Sequence, residues 1–347
     1  MDALMTKPLL AGAILLALAV PPTAAQEQTV PGTFVLAGAE ASVTGQLTLA
    51  QTAPLNADLT IRFADAATGA PIRTFTEELT QELHVLAVDS SLTRLVHEHV
   101  KTATPEGVFA TAMQFPVPGL YHIYADAVPE GHGQQVLRFD VAVAGDGGAA
   151  QPALQRFPAT GDIAVASGDY EVRLDASGLV ADRESMLHIA VLKHGEPATD
   201  LHPYLGVAAH AVLIRAEDLA YVHAHPVEDG QPMEHDSGHG DHMGQPAAPD
   251  AHATHDAHAT HDAHAAHDAP AAPDAHAAHD AHASPAPMDH GDHSDHGPAH
   301  ADMSTTVAPG MTLHMTPPGT GDYTLFLEFI GGNEVHTVTI LLTLPPR

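Results

Sequence analysis

Apolar and polar residues alternate in short runs along most of this chain, and glycine, proline and aspartate break the runs at sandwich-like intervals. GQLTLA, ADLTIRF, ELHVLAV, GLYHIYAD and QVLRFDVAV lie in the first half; YEVRL, MLHIAVLK, AHAVLIR, DYTLFLEF and HTVTILLTL lie in the second. A period of two belongs to a strand with one face turned to a core, and the 3.6-residue period of an amphipathic helix is nearly absent. The pattern predicts an all-β chain of two tandem β-sandwich domains, at residues 28–144 and 154–347, joined by a glycine-rich linker at 145–153. About 320 residues follow the N-terminal leader, which suits two domains of about 100–200 residues each. Residues 228–308 abandon the alternation and are expected to form a disordered loop insertion in domain two.

The two halves repeat one another. HVLAVDSSLTRLVHEH at 84–99 and HAVLIRAEDLAYVHAH at 210–225 align without a gap, and three of their four identities are histidines. His84, His97 and His99 correspond to His210, His223 and His225. A second block follows each window, FPVPGLYHIYAD at 115–126 and MTPPGTGDYTLFLE at 315–328. Where domain one connects these blocks by VKTATPEGVFATAMQ, domain two carries the long tract, so the tract occupies a loop, the place where a fold tolerates extra residues.

A two-residue turn in each window pairs Asp89 with Leu92 and sets His84 opposite His97; the same count on Arg215–Asp218 sets His210 opposite His223. Residues two apart share a sheet face, so His99 and His225 join them. Cross-strand Cβ atoms lie about 4.5–5.5 Å apart, close enough for two imidazoles to hold one ion. These six are candidate metal ligands, and His336 in EVHTV is a further one in domain two. Hydrogen bonding to a loop or capping of the core is the alternative role, and it is the expected one for His188, His194, His202 and His314, which follow no repeated pattern.

The tract itself is dense in imidazole. His252, His255, His258, His261, His264, His267, His276, His279 and His282 recur at three-residue spacing, with Pro270, Pro273 and Pro285 in the same phase. Proline in the run argues against a continuous helix. In a polyproline II conformation these rings line one edge about 9 Å apart, so chelation requires the chain to bend. Two flanking segments add thioethers: Met233, His235, His239, His242 and Met243 on one side, and Met288, His290, His293, His296, His300 and Met303 on the other. Imidazole suits Cu(II), zinc and nickel, while thioether sulfur suits Cu(I). Copper in either oxidation state is the expected ligand, with zinc or nickel as substitutes. A solvated spacer is the competing reading of the tract.

Composition narrows the setting. Lys7, an apolar run at 9–20 and the small residues before Gln26 form a secretory signal peptide cleaved after Ala25, which places the mature chain in the periplasm or outside the cell. Twelve apolar residues fall short of the ~18 that span a bilayer, so no membrane span is expected after cleavage. The chain has no cysteine, hence no disulfide, thiolate site or lipid-anchored cysteine. A formal charge of −31 and the lack of Lys or Arg from Ala216 to Pro346 disfavour nucleic acid and anionic membranes, and favour cations. No phosphate loop, HExxH or nucleophile–base pattern appears, so no enzymatic activity is expected.

The order of His-bearing strand, turn, His-x-His-Pro, Pro-Gly-x-Tyr and a terminal Val-His-Thr strand resembles the secreted YtkA-like domains grouped with heavy-metal-binding proteins. The resemblance runs through His210, Asp218, Leu219, Tyr221, His223, His225, Pro226, Pro318, Gly319, Tyr323, His336 and Thr337. Domain one matches through His84, Leu92, His97, His99, Phe115, Pro116, Pro118, Gly119 and Tyr121, but lacks the proline directly after His99. It implies immunoglobulin-like or cupredoxin-like sandwiches that buffer a transition metal or deliver it to a metal-transport or metalloenzyme-assembly protein. Two other readings compete. One is a structural or assembly module. The other is an enzyme similar to Cu,Zn superoxide dismutase, against which stand the missing cysteine pair and the missing remainder of that ligand series.

Overall fold

The computed structural model describes residues 27–78, 81–147, 153–229 and 306–346, which fall within one compact unit. Residues 1–26 and the histidine- and methionine-rich tract, with every candidate ligand from Met233 to Met303, lie outside the described residues. Among the described residues there is no helix, and none is long and apolar enough to cross a membrane. The chain is all-β, built as two β-sandwiches in tandem.

In the first sandwich a four-stranded sheet runs Glu27–Pro31, Val43–Ala53, Asn56–Asp65, Val108–Gln114. Its facing sheet runs Thr33–Phe34, Gln135–Val143, Gly119–Pro129, Leu83–Asp89, Leu95–Val100. The second sandwich pairs Asp162–Ser167, Tyr170–Asp175, Ser185–Lys193, Gly310–Met315 and Val227–Glu228 against Arg156–Pro158, Glu334–Leu344, Gly321–Gly331, His210–Arg215 and Tyr221–Ala224. Each sandwich encloses its own core: Leu47, Phe63, Phe109 and Phe139 in the first, Leu187, Met311, Leu325 and Phe329 in the second. Each also carries a tyrosine whose hydroxyl donates to the carbonyl four residues earlier, Tyr121 to Val117 and Tyr323 to Gly319, both at 2.8 Å. The strands Val227–Glu228 and Gly310–Met315, which flank residues 230–305 in the sequence, pair side by side.

The two sandwiches meet through the sheets that hold the repeated windows. All seven residues of Leu83–Asp89 are buried, because that strand is covered on both faces. Leu83, Val85 and Ala87 point into the first core; His84, Leu86 and Val88 point at the other domain. In His210–Arg215 the alternation repeats, with Ala211 and Leu213 in the second core and Val212 and Ile214 at the junction. Leu86, Val88, Leu92, Tyr124 and Val136 thus form a third core with Val212, Ile214, Tyr221 and Phe326. Tyr124 and Tyr221 stack across it at 4.9 Å, and the Tyr124 hydroxyl donates to the Leu219 carbonyl at 3.2 Å.

The hairpin register differs from the expected one. Val88 pairs with Leu95 and Asp89 N donates to the Arg94 carbonyl, so the connection has four residues, 90–93, instead of two. His84 therefore faces His99, and Leu86 faces His97. In domain two Val212 faces His223, a register that carries His210 toward His225. A shift of two keeps every side chain on its face, so all six histidines still point to one side. Leu92 and Leu219 take positive φ in these turns, at 54° and 61°, and both pack on the junction core. Adopting that conformation costs a leucine about 1–2 kcal/mol, and burying its side chain returns about 1.5–3 kcal/mol.

Candidate metal centre

At one end of the junction the apolar residues give way to histidine. His84, His97 and His99 from domain one meet His210, His223 and His225 from domain two, in a single cluster made by both sandwiches. Ring centroids lie 4.3 Å apart for His84–His99, 4.9 Å for His97–His99, 4.8 Å for His97–His210 and 5.2 Å for His84–His223. His210–His225 and His223–His225 stand at 4.9 and 4.5 Å. Three triads offer ligand nitrogens all within 4.8 Å of one another: His84, His97 and His223; His97, His99 and His210; His210, His223 and His225. Metal–imidazole bonds of about 2.0–2.1 Å put the nitrogens of a tetrahedral site about 3.4 Å apart, so pairs of nitrogens must approach by up to about 1.4 Å to close each triad.

Two buried carboxylates stand behind the central histidines, and each comes from the opposite domain. Glu328 Oε2 accepts from His97 Nδ1 at 3.0 Å, with side-chain exposures of 4 and 0 %. Asp126 Oδ2 lies 3.6 Å from His223 Nδ1 and accepts from the Tyr221 hydroxyl at 3.2 Å. The opposite oxygens are held as well, by Gln134 on Asp126 and Thr337 on Glu328, each at 3.0 Å. Such a carboxylate fixes the tautomer of a ligating imidazole and raises its basicity. Because Nδ1 of His97 carries the proton shared with Glu328, its Nε2 presents a lone pair, and that buried atom has no hydrogen-bond partner. His210 donates from Nε2 to the Tyr204 carbonyl at 3.1 Å, leaving Nδ1 as its lone pair, 3.3 Å from His223 Nε2. Both ring nitrogens of His99 are buried without a hydrogen bond.

Burial opposes protonation of three of the six rings. Burial, then the charges of His84, His97 and His225, push the His99 imidazole down to about 2. Burial followed by the neighbouring rings also pushes His210 and His223 well below the usual imidazole range. Neutral imidazole is the metal-binding form. The described centre contains no sulfur ligand, a donor set suited to Cu(II), zinc or nickel.

His336 stands apart from this group. It pairs with Phe329, while its neighbour Thr337 pairs with Glu328, so it faces the other side of the sheet. There it stacks on Phe329 at 5.2 Å, lies 4.5 Å from Tyr170 and meets Ser167 at 3.3 Å. His188 and His314 sit on the outer sheet of the second sandwich, beside Thr312 and Glu184. Asp126, Glu328 and Tyr204 escaped the sequence reading. The two acids close the repeated blocks at 115–126 and 315–328, and they pair with His84 and His210 in the two sheets. Tyr204 lies 5.4 Å from His210 in a short turn with no counterpart motif.

A family model described as a domain of unknown function, DUF8832, matches residues 37–145 and 164–261, which is more than half of the chain. The chain belongs to the DUF8832 family. The two matched segments of this DUF8832 protein contain one histidine hairpin each. Among curated proteins no match is found.

Proposed function

We propose that this protein is a periplasmic or secreted transition-metal carrier, for copper first and zinc or nickel otherwise, with its ordered site at the domain junction. The observation that carries the reading is the convergence of six imidazoles, four of them buried and two half-buried, with two carboxylates behind them. Unpaired polar atoms in an interior are costly, and a bound cation satisfies the nitrogens of His97 and His99 that no protein group meets. The tract, with its exchangeable His and Met donors, supplies capture capacity, and the junction supplies retention. Resemblance to the YtkA-like domains points the same way.

The test is metal content of the full chain and of a chain lacking residues 233–303, each loaded with Cu(II) and dialysed against a competing chelator. Retention by both, with nitrogen hyperfine structure in the Cu(II) spectrum, is expected. Chains that stay empty when offered copper, zinc and nickel end the proposal. A structural module is the second reading, favoured by one observation: the buried His97–Glu328 contact and the stacked tyrosines also join two domains without any ion.

A further inference from the structure

We infer that the junction holds two metal ions, one on each His-x-His pair; the inference rests on the metal reading above. Exchanging the domains exchanges His84 with His210, His97 with His223, His99 with His225 and Asp126 with Glu328, and the contacts follow. His97–Glu328 maps onto His223–Asp126, at 3.0 and 3.6 Å. The His97–His210 ring contact, 4.8 Å, maps onto His223–His84, 5.2 Å. His84–His99, 4.3 Å, maps onto His210–His225, 4.9 Å. The centre is thus approximately two-fold.

Six imidazoles exceed what one four-coordinate ion takes. None of the three triads contains both His99 and His225, so these two residues belong to different foci. One focus is His97, His99 and His210, with ring separations of 4.9, 4.8 and 5.3 Å. Its symmetry mate is His223, His225 and His84, at 4.5, 5.2 and 6.3 Å; this set is not among the three close triads, and the His84 and His225 rings must draw together to share an ion. Each ion then takes a His-x-His pair from one domain and a strand histidine from the other. Each central histidine has a carboxylate of the opposite domain beside it, hydrogen-bonded to His97 at 3.0 Å and 3.6 Å from His223, one per ion. The first focus is the better prepared. His97 Nε2 presents a lone pair and His99 has no competing hydrogen bond, while His210 Nδ1 must exchange its 3.3 Å contact with His223 Nε2 for the ion. Three nitrogens per ion leave an open coordination position on each, where an incoming donor can attach during transfer.

The experiment is a Cu(II) titration of the full chain in a competing chelator strong enough to strip isolated imidazoles, read by electron paramagnetic resonance. Two retained equivalents are expected, with a spin-coupled pair appearing as the second is filled. His99→Ala and His225→Ala are each expected to retain one equivalent with an uncoupled spectrum. Zinc retention by native mass spectrometry gives the same count without a spectroscopic signature. A single retained equivalent in the unaltered chain, lost in both variants, overturns the two-ion centre and leaves the metal reading standing. No retained equivalent overturns both. The unaltered chain decides the count even if a variant fails to fold.

Discussion

Replacing His99 with leucine is expected to stabilise the metal-stripped protein. A neutral imidazole carries one N–H and one lone pair, and at His99 neither finds a hydrogen bond in the interior. Each unmet group costs about 1–3 kcal/mol. Leucine, of similar volume, removes both and adds apolar contact beside His84 and His97, whose rings lie 4.3 and 4.9 Å away. Because His99 is half-buried, the gain is set at the lower end, about 1–3 kcal/mol. At about 2–4 °C per kcal/mol for a protein of this size, the chelated variant melts about 2–12 °C above the unaltered protein. Metal reverses the advantage. An ion at a hundred times its dissociation constant stabilises the folded state by about 2.7 kcal/mol, and the variant forfeits this at the His97 focus. Ions held by local sequence bind folded and unfolded chains alike and cancel from the comparison. Calorimetric melting in chelator and in excess zinc reads both numbers. If His99→Leu melts lower in chelator by more than about 1 kcal/mol, or gains as much from zinc as the parent, the ring is a structural element and the reasoning fails.

Glu328→Gln is expected to weaken metal retention about 10–100-fold with little change in fold, because it removes the charge that polarises His97; Asp126→Asn acts likewise on His223, and chelator competition measures both. In acid, His99, His210 and His223 have folded pKa values below their unfolded value of about 6.5, so the unfolded chain takes up protons first. Their contribution to stability is complete above pH 6.5 and is lost as the pH falls toward the folded values; the melting temperature of the chelated protein is therefore expected to drop between pH 7 and pH 4, and a flat profile contradicts the assignment. Tyr221→Ala is expected to cost about 3–5 kcal/mol by opening the junction core, and to split one thermal transition into two. His336→Ala is expected to leave metal retention unchanged in the same chelator competition.

The alternation that marks strands was readable because a half-buried sheet imposes a period of two on its residues. HVLAV and HAVLI departed from it, and continuous apolar runs of that kind signal strands covered on both faces. That was the trace of the domain junction. Turn length was hidden because the positive-φ positions hold Leu92 and Leu219 in place of glycine or asparagine, stabilised by packing that no local pattern reports. The error was an even number of residues, so the histidines kept their face while their cross-strand partners changed. A single sequence treats each hairpin alone, so two separate sites were expected where the structure makes one. His336 in EVHTV was expected as a further ligand, but it pairs with Phe329 and its neighbour Thr337 with Glu328, so it lies on the opposite face of the sheet from the cluster.

The crossed carboxylates, Asp126 under His223 and Glu328 under His97, carry a consequence for ancestry. A lone sandwich bearing this hairpin can complete the same pocket only by docking against a second copy of itself, in an isologous pair. Joining the copies in one polypeptide releases them from identity. One side has kept aspartate where the other has glutamate, Tyr221 stands where the first copy has Leu95, and a single loop has taken on the histidine repeats. Tethering also removes the dependence of the pocket on protein concentration.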